Sequence, residues 1–192
     1  MTGPRVTKAA VRTDFSSGHV TADGPSEVVV VERRFADLVD VFADEAARLA
    51  LPQDRLAYRT ECVFPVPEGT EGGLFWGTTF IEPGQVGDEF FMTKGHFHTK
   101  GDRMETYLTY SGTGLLVLMS RDRRCWAEEM TPGSVHMIAA HTAHRAVNTG
   151  SATLAFGASW PSDAGHDYAT IAADGFACRV IGVGGLPQLV SV

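Results

Sequence analysis

His96 and His98 stand two residues apart in the run Gly95-His96-Phe97-His98. In a strand, both imidazoles would lie on one face, about 6–7 Å apart along the chain, and both would reach a single ion. Thr99 to Asp102 reads as turn chemistry, so a strand beginning near Arg103 should return antiparallel and bring Glu105 opposite the pair as a third ligand. His144 opens a later strand, four residues before Asn148 and after the Thr131-Pro132-Gly133 turn, and could supply the fourth. Three neutral imidazoles and one carboxylate make a borderline donor set. It suits one divalent ion per chain, Fe(II), Mn(II), Ni(II), Co(II) or Zn(II), with positions left for water or substrate. A lone strand histidine is more often an ordinary core or surface residue. The combined spacing of the four groups is what points to a metal.

The elements that must position these residues are mostly strands. Beyond Leu56, short β-branched and aromatic runs alternate with Gly/Pro-containing turns at 65–73, 82–87, 111–114, 131–133 and 148–151, the pattern of an all-β barrel or sandwich. Before it, Phe35, Leu38, Val39, Phe42, Ala46 and Leu49 recur at helical spacing with Asp37, Asp40, Asp44 and Glu45 opposite, which predicts one helix over 35–49. Residues 1–26 are rich in Gly, Ser, Thr and Asp and read as an N-terminal arm with a short edge strand around Val11. The segment from Val180 to Val192 reads as a last strand and tail. With 192 residues and no internal repeat, the expectation is a single domain over 1–192 with its barrel core at 57–182.

A formal charge of −7 disfavours nucleic acid or an anionic membrane surface as partner, because both need clustered Lys/Arg. A small molecule is the expected ligand, and any phosphate site must be assembled locally from backbone amides, hydroxyls or a metal. The sequence has no apolar stretch of about 18 residues and no signal-peptide pattern, so a cytoplasmic location is expected. Cys62, Cys125 and Cys178 are odd in number and widely spaced, which predicts free thiols rather than a disulfide or a thiolate metal site.

His96-x-His98, Glu105 and Gly112 resemble the first cupin motif, and His144-x-x-x-Asn148 resembles the end of the second. The segments Gln85-Val86-Gly87-Asp88-Glu89-Phe90-Phe91-Met92-Thr93-Lys94-Gly95-His96-Phe97-His98, Ala143-His144-Arg145-Ala146-Val147-Asn148 and Asp163-Ala164-Gly165-His166-Asp167-Tyr168 are more specific. Together they resemble cupin-type glucose-6-phosphate isomerase. That resemblance implies a cupin barrel (double-stranded β-helix) and a homodimeric, Fe(II)-favouring enzyme that interconverts glucose 6-phosphate and fructose 6-phosphate. It matches His96, His98, Glu105 and His144 to metal ligands, and Thr79, Thr93 and Gly95 to phosphate contacts. Tyr58, Tyr107, His166 and Tyr168 match further active-site positions, and Lys94, His141 and Trp160 complete the expected substrate-binding set. Strand parity puts Lys94 with His96 and His98 and turns Thr93 away, which a kink at Gly95 would reconcile. Asp167 is expected to cap or face solvent rather than react. In two places the chain departs from the family pattern: His141 stands for a Tyr, and so does Trp160. Glu105 is the candidate base that moves a proton between C1 and C2, or only a ligand if a hydride moves instead. Other readings of the same ligand set are a cupin isomerase or epimerase on another sugar, an Fe(II) dioxygenase, and a non-catalytic sugar-binding module.

Overall fold

The computed structural model describes residues 4, 6–24 and 26–192; residues 1–3, 5 and 25 of the expected arm lie outside the described residues. β1 (Val11–Thr13) and β2 (Val20–Ala22) form a small hairpin. His19 Nδ1 lies 2.8 Å from Glu61 Oε1, and the Val20 amide donates to Glu61 Oε2, which fastens the hairpin to the barrel. Then come β3 (Val28–Arg34), β4 (Leu56–Val63), β5 (Leu74–Ile81), β6 (Gln85–Val86) and β7 (Glu89–Phe90). These are followed by β8 (Glu105–Ser111), β9 (Gly114–Ser120), β10 (Cys125–Met130), β11 (Val135–Ile138) and β12 (Thr142–Asn148). β13 (Leu154–Pro161), β14 (Cys178–Val183) and β15 (Leu186–Ser191) complete the strands. No helix is long and apolar enough to cross a membrane among the described residues.

Six strands pair in the order β11-β8-β13-β5-β4-β3, three in the order β10-β9-β12, and four in the order β15-β14-β7-β6. β3 lies outside the expected 57–182 core yet forms the edge of the six-stranded sheet, in register with β4 from Val28↔Val63 onward. Side chains from the six-stranded and three-stranded sheets meet in one apolar cluster, with Ile81, Leu154 and Phe156 from the first and Leu116, Leu118 and Val147 from the second. β8 shows the alternation that matters for the site: Glu105, Tyr107 and Thr109 are buried and the residues between them are not. Asn148, fully buried, closes the far end of β12. Its Nδ2 donates to the carbonyls of Ile81 and Ala152 at 2.8 and 2.9 Å, and its Oδ1 accepts from the Gly150 amide. The Asn of the second motif is therefore a lock on the barrel rather than part of the site.

Three expectations need correction. The helix over 35–49 is instead a single 3-10 turn at Phe35–Asp37 followed by α1 at Glu45–Ala50. The aspartates that looked like a polar face stop it: Asp37 accepts from the Arg34 amide, Asp40 adopts φ +62°, and Asp44 caps α1 through the Ala47 amide. Phe35, Leu38 and Phe42 are buried as expected, but Val39 and Leu49 are more than half exposed. Secondly, Cys125 and Cys178 are joined in a disulfide, with Cα atoms 6.1 Å apart, and only Cys62 is free and buried. Wide sequence spacing concealed that the start of β10 lies against the start of β14. Thirdly, β8 does not fold back onto the histidine segment; it pairs with β11 and β13, and the histidines meet β12 instead.

The disulfide closes a loop of 53 residues. On the loop-entropy relation Cys125→Ser should cost about 4 kcal/mol of unfolding free energy, read as a lowered urea midpoint under non-reducing conditions. Equal midpoints for wild type and variant would show that the bond does not form in the isolated protein.

Candidate active site

The first ligand segment is not a regular strand. It holds to the barrel by single antiparallel bridges, Met92↔Val147 and His96↔His144, and Phe97 bridges to Asp167. Gly95 has φ +72°, and a Cβ there would lie 2.7 Å from the Phe176 ring and 3.0 Å from the His144 carbonyl. Only glycine fits this close, left-handed passage. Period-two parity consequently fails across it, and Thr93, Lys94, Gly95 and His96 all face one cavity.

The ligand atoms of His96, His98, Glu105 and His144 lie within 4.8 Å of one another. Glu105 Oε2 is 3.2 Å from His98 Nε2 and 3.0 Å from His144 Nε2, the latter without the alignment of a hydrogen bond. His98 Nδ1 sits 2.9 Å from the Arg103 carbonyl, so donating there leaves Nε2 facing the cluster. Burial pushes Glu105 up, but the neighbouring imidazoles of His144 and His98 outweigh it and bring the carboxyl to about 2. Burial and then the imidazoles of His144, His166 and His98 hold His96 well below the ordinary imidazole range. At neutral pH Glu105 is therefore ionised and His96 neutral, with one ring-nitrogen lone pair available. The Nε2 atoms of His96 and His144 are buried with no hydrogen-bond partner. Two orphaned imidazole nitrogens aimed at a buried carboxylate fit a divalent cation.

Above this cluster opens a cavity of about 850 Å³. Tyr58, Thr79, Thr93, Lys94, Gly95, Tyr107, Trp160, His166 and Tyr168 all line it, together with His96, Glu105 and His144; His98 stands behind Glu105. Burial and then the neighbouring Tyr168 push the Tyr58 phenol up to about 12, and burial with the Glu105 charge raises Tyr107 well above its ordinary value. Both are neutral hydroxyls that can donate. His166 and Tyr168 stack with ring planes 7° apart, and the His166 ring lies 4.5 Å from that of His96. They reach this position because the segment 163–168 is sewn to the first ligand segment: Asp167 and Phe97 exchange both backbone bonds, and the Lys100 amide donates to Ala164. Gly165, at φ +63°, lies so close to Thr99 that a Cβ would be 2.8 Å from its Oγ1. Asp167 caps α2 (Tyr168–Asp174) by accepting from the Thr170 amide and hydroxyl.

His141 is the exception. It is exposed on a turn at φ +61°, its ring rests against Gly101, and it does not line the cavity. The left-handed turn between β11 and β12 carries its side chain outward, so of the two departures only Trp160 reshapes the interior. Arg33, near the end of β3, lines the cavity and was not anticipated. It sits in the run Glu32-Arg33-Arg34, where nothing local marks one charge as inward.

The family model described as glucose-6-phosphate isomerase (GPI) matches residues 32–189. A glucose-6-phosphate isomerase of Pyrococcus horikoshii is 40% identical over 182 residues, covering 94% of this chain and 93% of the relative. One from Sinorhizobium medicae is 34% identical over 188 residues, covering 94% and 85%. Among solved structures, oxalate decarboxylase from Bacillus subtilis aligns with 57% of this chain and 26% of its own at 17% identity and a TM-score of 0.44.

The Asp163 carboxylate, 1% exposed, braces the site from outside: Oδ1 accepts from Arg103 Nε, and Oδ2 accepts from Arg103 Nη2 and Lys100 Nζ. It thereby ties the 163–168 segment to the loop whose Arg103 carbonyl orients His98. Asp163→Asn is expected to lower metal affinity or turnover about 10–100-fold, as loss of an outer partner does, measured by metal titration and initial rates. Arg103 and Lys100 hold the Asp163 carboxyl well below the usual range. A depressed folded value contributes stability above the unfolded carboxyl value and loses it as pH falls through the folded one. Thermal unfolding should accordingly drop less on acidification in Asp163→Asn than in wild type.

Proposed function

The chain belongs to the glucose-6-phosphate isomerase family, and from that premise we propose that it interconverts glucose 6-phosphate and fructose 6-phosphate in a metal-dependent reaction within the 850 Å³ cavity. The observation that carries this reading is a buried, ionised carboxylate among three imidazoles at the base of a cavity of ordinary small-molecule size. His96, His98, Glu105 and His144 would hold the ion, and their N/O donor set favours a borderline metal such as Fe(II). When bound, a divalent ion polarises the oxygens on the carbons being interconverted.

The remaining steps belong to the chain's own groups. Thr79 and Thr93 hydroxyls and the backbone at Gly95 take the phosphate, with the Arg33 and Lys94 cations lining the same cavity. This local positive charge answers the difficulty of an anionic substrate for a chain of net charge −7. Anchoring the phosphate leaves the other end of the sugar at Glu105. Glu105 takes the C2 proton of the open-chain aldose and returns it to C1, while a proton moves from O2 to O1. His166 and the half-exposed Tyr168, stacked on each other beside His96, are placed to exchange protons with ring and hydroxyl oxygens. Tyr107, neutral and inward, donates a hydrogen bond near the Glu105 carboxylate.

Four measurements test this. Elemental analysis should find about one ion per chain in wild type and a large loss in His96→Ala and His144→Ala; full metal content in both variants overturns the ligand set. Metal-loaded protein should turn over fructose 6-phosphate far better than unphosphorylated fructose. Glu105→Gln, with metal measured in parallel, should lose about 10²–10⁴-fold in rate, the ordinary contribution of a positioned base. Wild type in D₂O should place deuterium at C1 or C2. No deuterium, together with an active and metal-loaded Glu105→Gln, would reduce Glu105 to a ligand and leave hydride transfer as the route.

A further inference from the structure

Behind the Lys94–Gly95 strip lies a second cavity, of about 290 Å³, which shares Arg33, Lys94, Gly95 and Tyr168 with the wall of the substrate cavity. Four cationic side chains line it: Arg33, Lys94, Arg145 and Arg179. Against them stand two carboxylates. Glu89 is committed to Arg179 at 2.7 Å and to the Ala43 amide at 2.6 Å, and Asp40 is exposed at the edge. Among the described residues, Arg33, Lys94 and Arg145 form no ion pair with any carboxylate.

Arg145 is the telling member. It is 7% exposed, lines this cavity and not the substrate cavity, and lies over the Phe176 ring at 4.5 Å. Its Nε and Nη2 donate to the Lys94 carbonyl, and Nη1 has no hydrogen-bond partner among the described residues. The carboxylate nearest in effect, Glu89, is shared with Arg179, so two guanidiniums divide one buried counter-charge while Arg33 and Lys94 have none, a costly arrangement. An anion in the cavity removes that cost, and a phosphate oxygen suits the planar fork of arginine.

We propose that this second cavity binds a small phosphate-class anion, inorganic phosphate or a short phosphate monoester, separately from the substrate. Its volume is about a third of the substrate cavity's, which favours a ligand smaller than a hexose phosphate. Arg145 and Lys94 face the anion, Arg33 borders both cavities, and Phe176 with Ile171 forms the apolar side.

The experiment is calorimetric titration of inorganic phosphate into metal-loaded protein, alone and with saturating fructose 6-phosphate. With the sugar phosphate present, one phosphate per chain should still bind. Arg145→Gln removes the buried charge, and Ala172→Trp fills the mouth from α2 without touching any charge, so a fold defect in the first leaves the second to decide. Either should weaken that binding about tenfold or more, the equivalent of one charge-assisted hydrogen bond, whereas Thr93→Val should not. No phosphate binding beside fructose 6-phosphate, or equal affinity in wild type and Ala172→Trp, overturns the proposal. If fructose 6-phosphate itself gives no binding heat, the isomerase reading fails, and loss of phosphate binding in Ala172→Trp still decides the second site.

Discussion

An ionised carboxylate at the bottom of a protein cavity is the constraint on which the rest of this structure depends. Taking Glu105 out of water costs several kcal/mol unless its charge is answered locally. The answer would come from a cation held between that carboxylate and the rings of His98 and His144, whose nitrogens lie 3.2 and 3.0 Å from one of its oxygens. Each in turn needs support. His144 requires β12 beside the first ligand segment, and that segment requires a glycine at 95 to pass so close to Phe176 and the His144 backbone. His98 requires the Arg103 carbonyl, and the Arg103 loop requires Asp163. One buried charge thus accounts for the conformations of four separated stretches of chain.

The ligand set was legible because metal coordination demands specific atoms from specific residue types, and those types are rare enough at such spacing to stand out. The barrel was legible for a similar reason, since strand alternation and Gly/Pro punctuation recur from Leu56 onward. The argument that brought Glu105 to the histidines was nevertheless mistaken in its route: β8 pairs with β11 and β13, and β12 is the neighbour of His96. Local reading also failed where side-chain chemistry competes with periodicity. Asp37, Asp40 and Asp44 satisfy backbone groups or turn the chain left-handed, and the apolar stripe they interrupt still buries Phe35 and Leu38 without a continuous helix. His141, Arg33 and the Cys125–Cys178 pair depend on which segments meet in space, and no local pattern encodes that.

The distribution of charge reconciles an acidic chain with an anionic substrate. Two buried carboxylates nearby are spent elsewhere, Asp163 on Arg103 and Lys100 and Glu89 on Arg179, which leaves Glu105 and Glu68 as the carboxylates lining the substrate cavity. Arg33 and Lys94 remain unpaired at the wall shared by the two cavities. Net charge describes the surface as a whole, and a site is governed by the few groups within a Debye length of it.

His96 and His144 do more than face one another across the cluster. Each amide donates to the other's carbonyl, at 3.3 and 3.1 Å, so the two segments are joined at the very residues whose rings converge. An ion held by both rings would close the same junction a second time. Opening of this β-bridge, between β12 and a glycine-kinked segment, would draw the two ligand nitrogens apart, so ring spacing and a local fluctuation of the backbone are one coordinate.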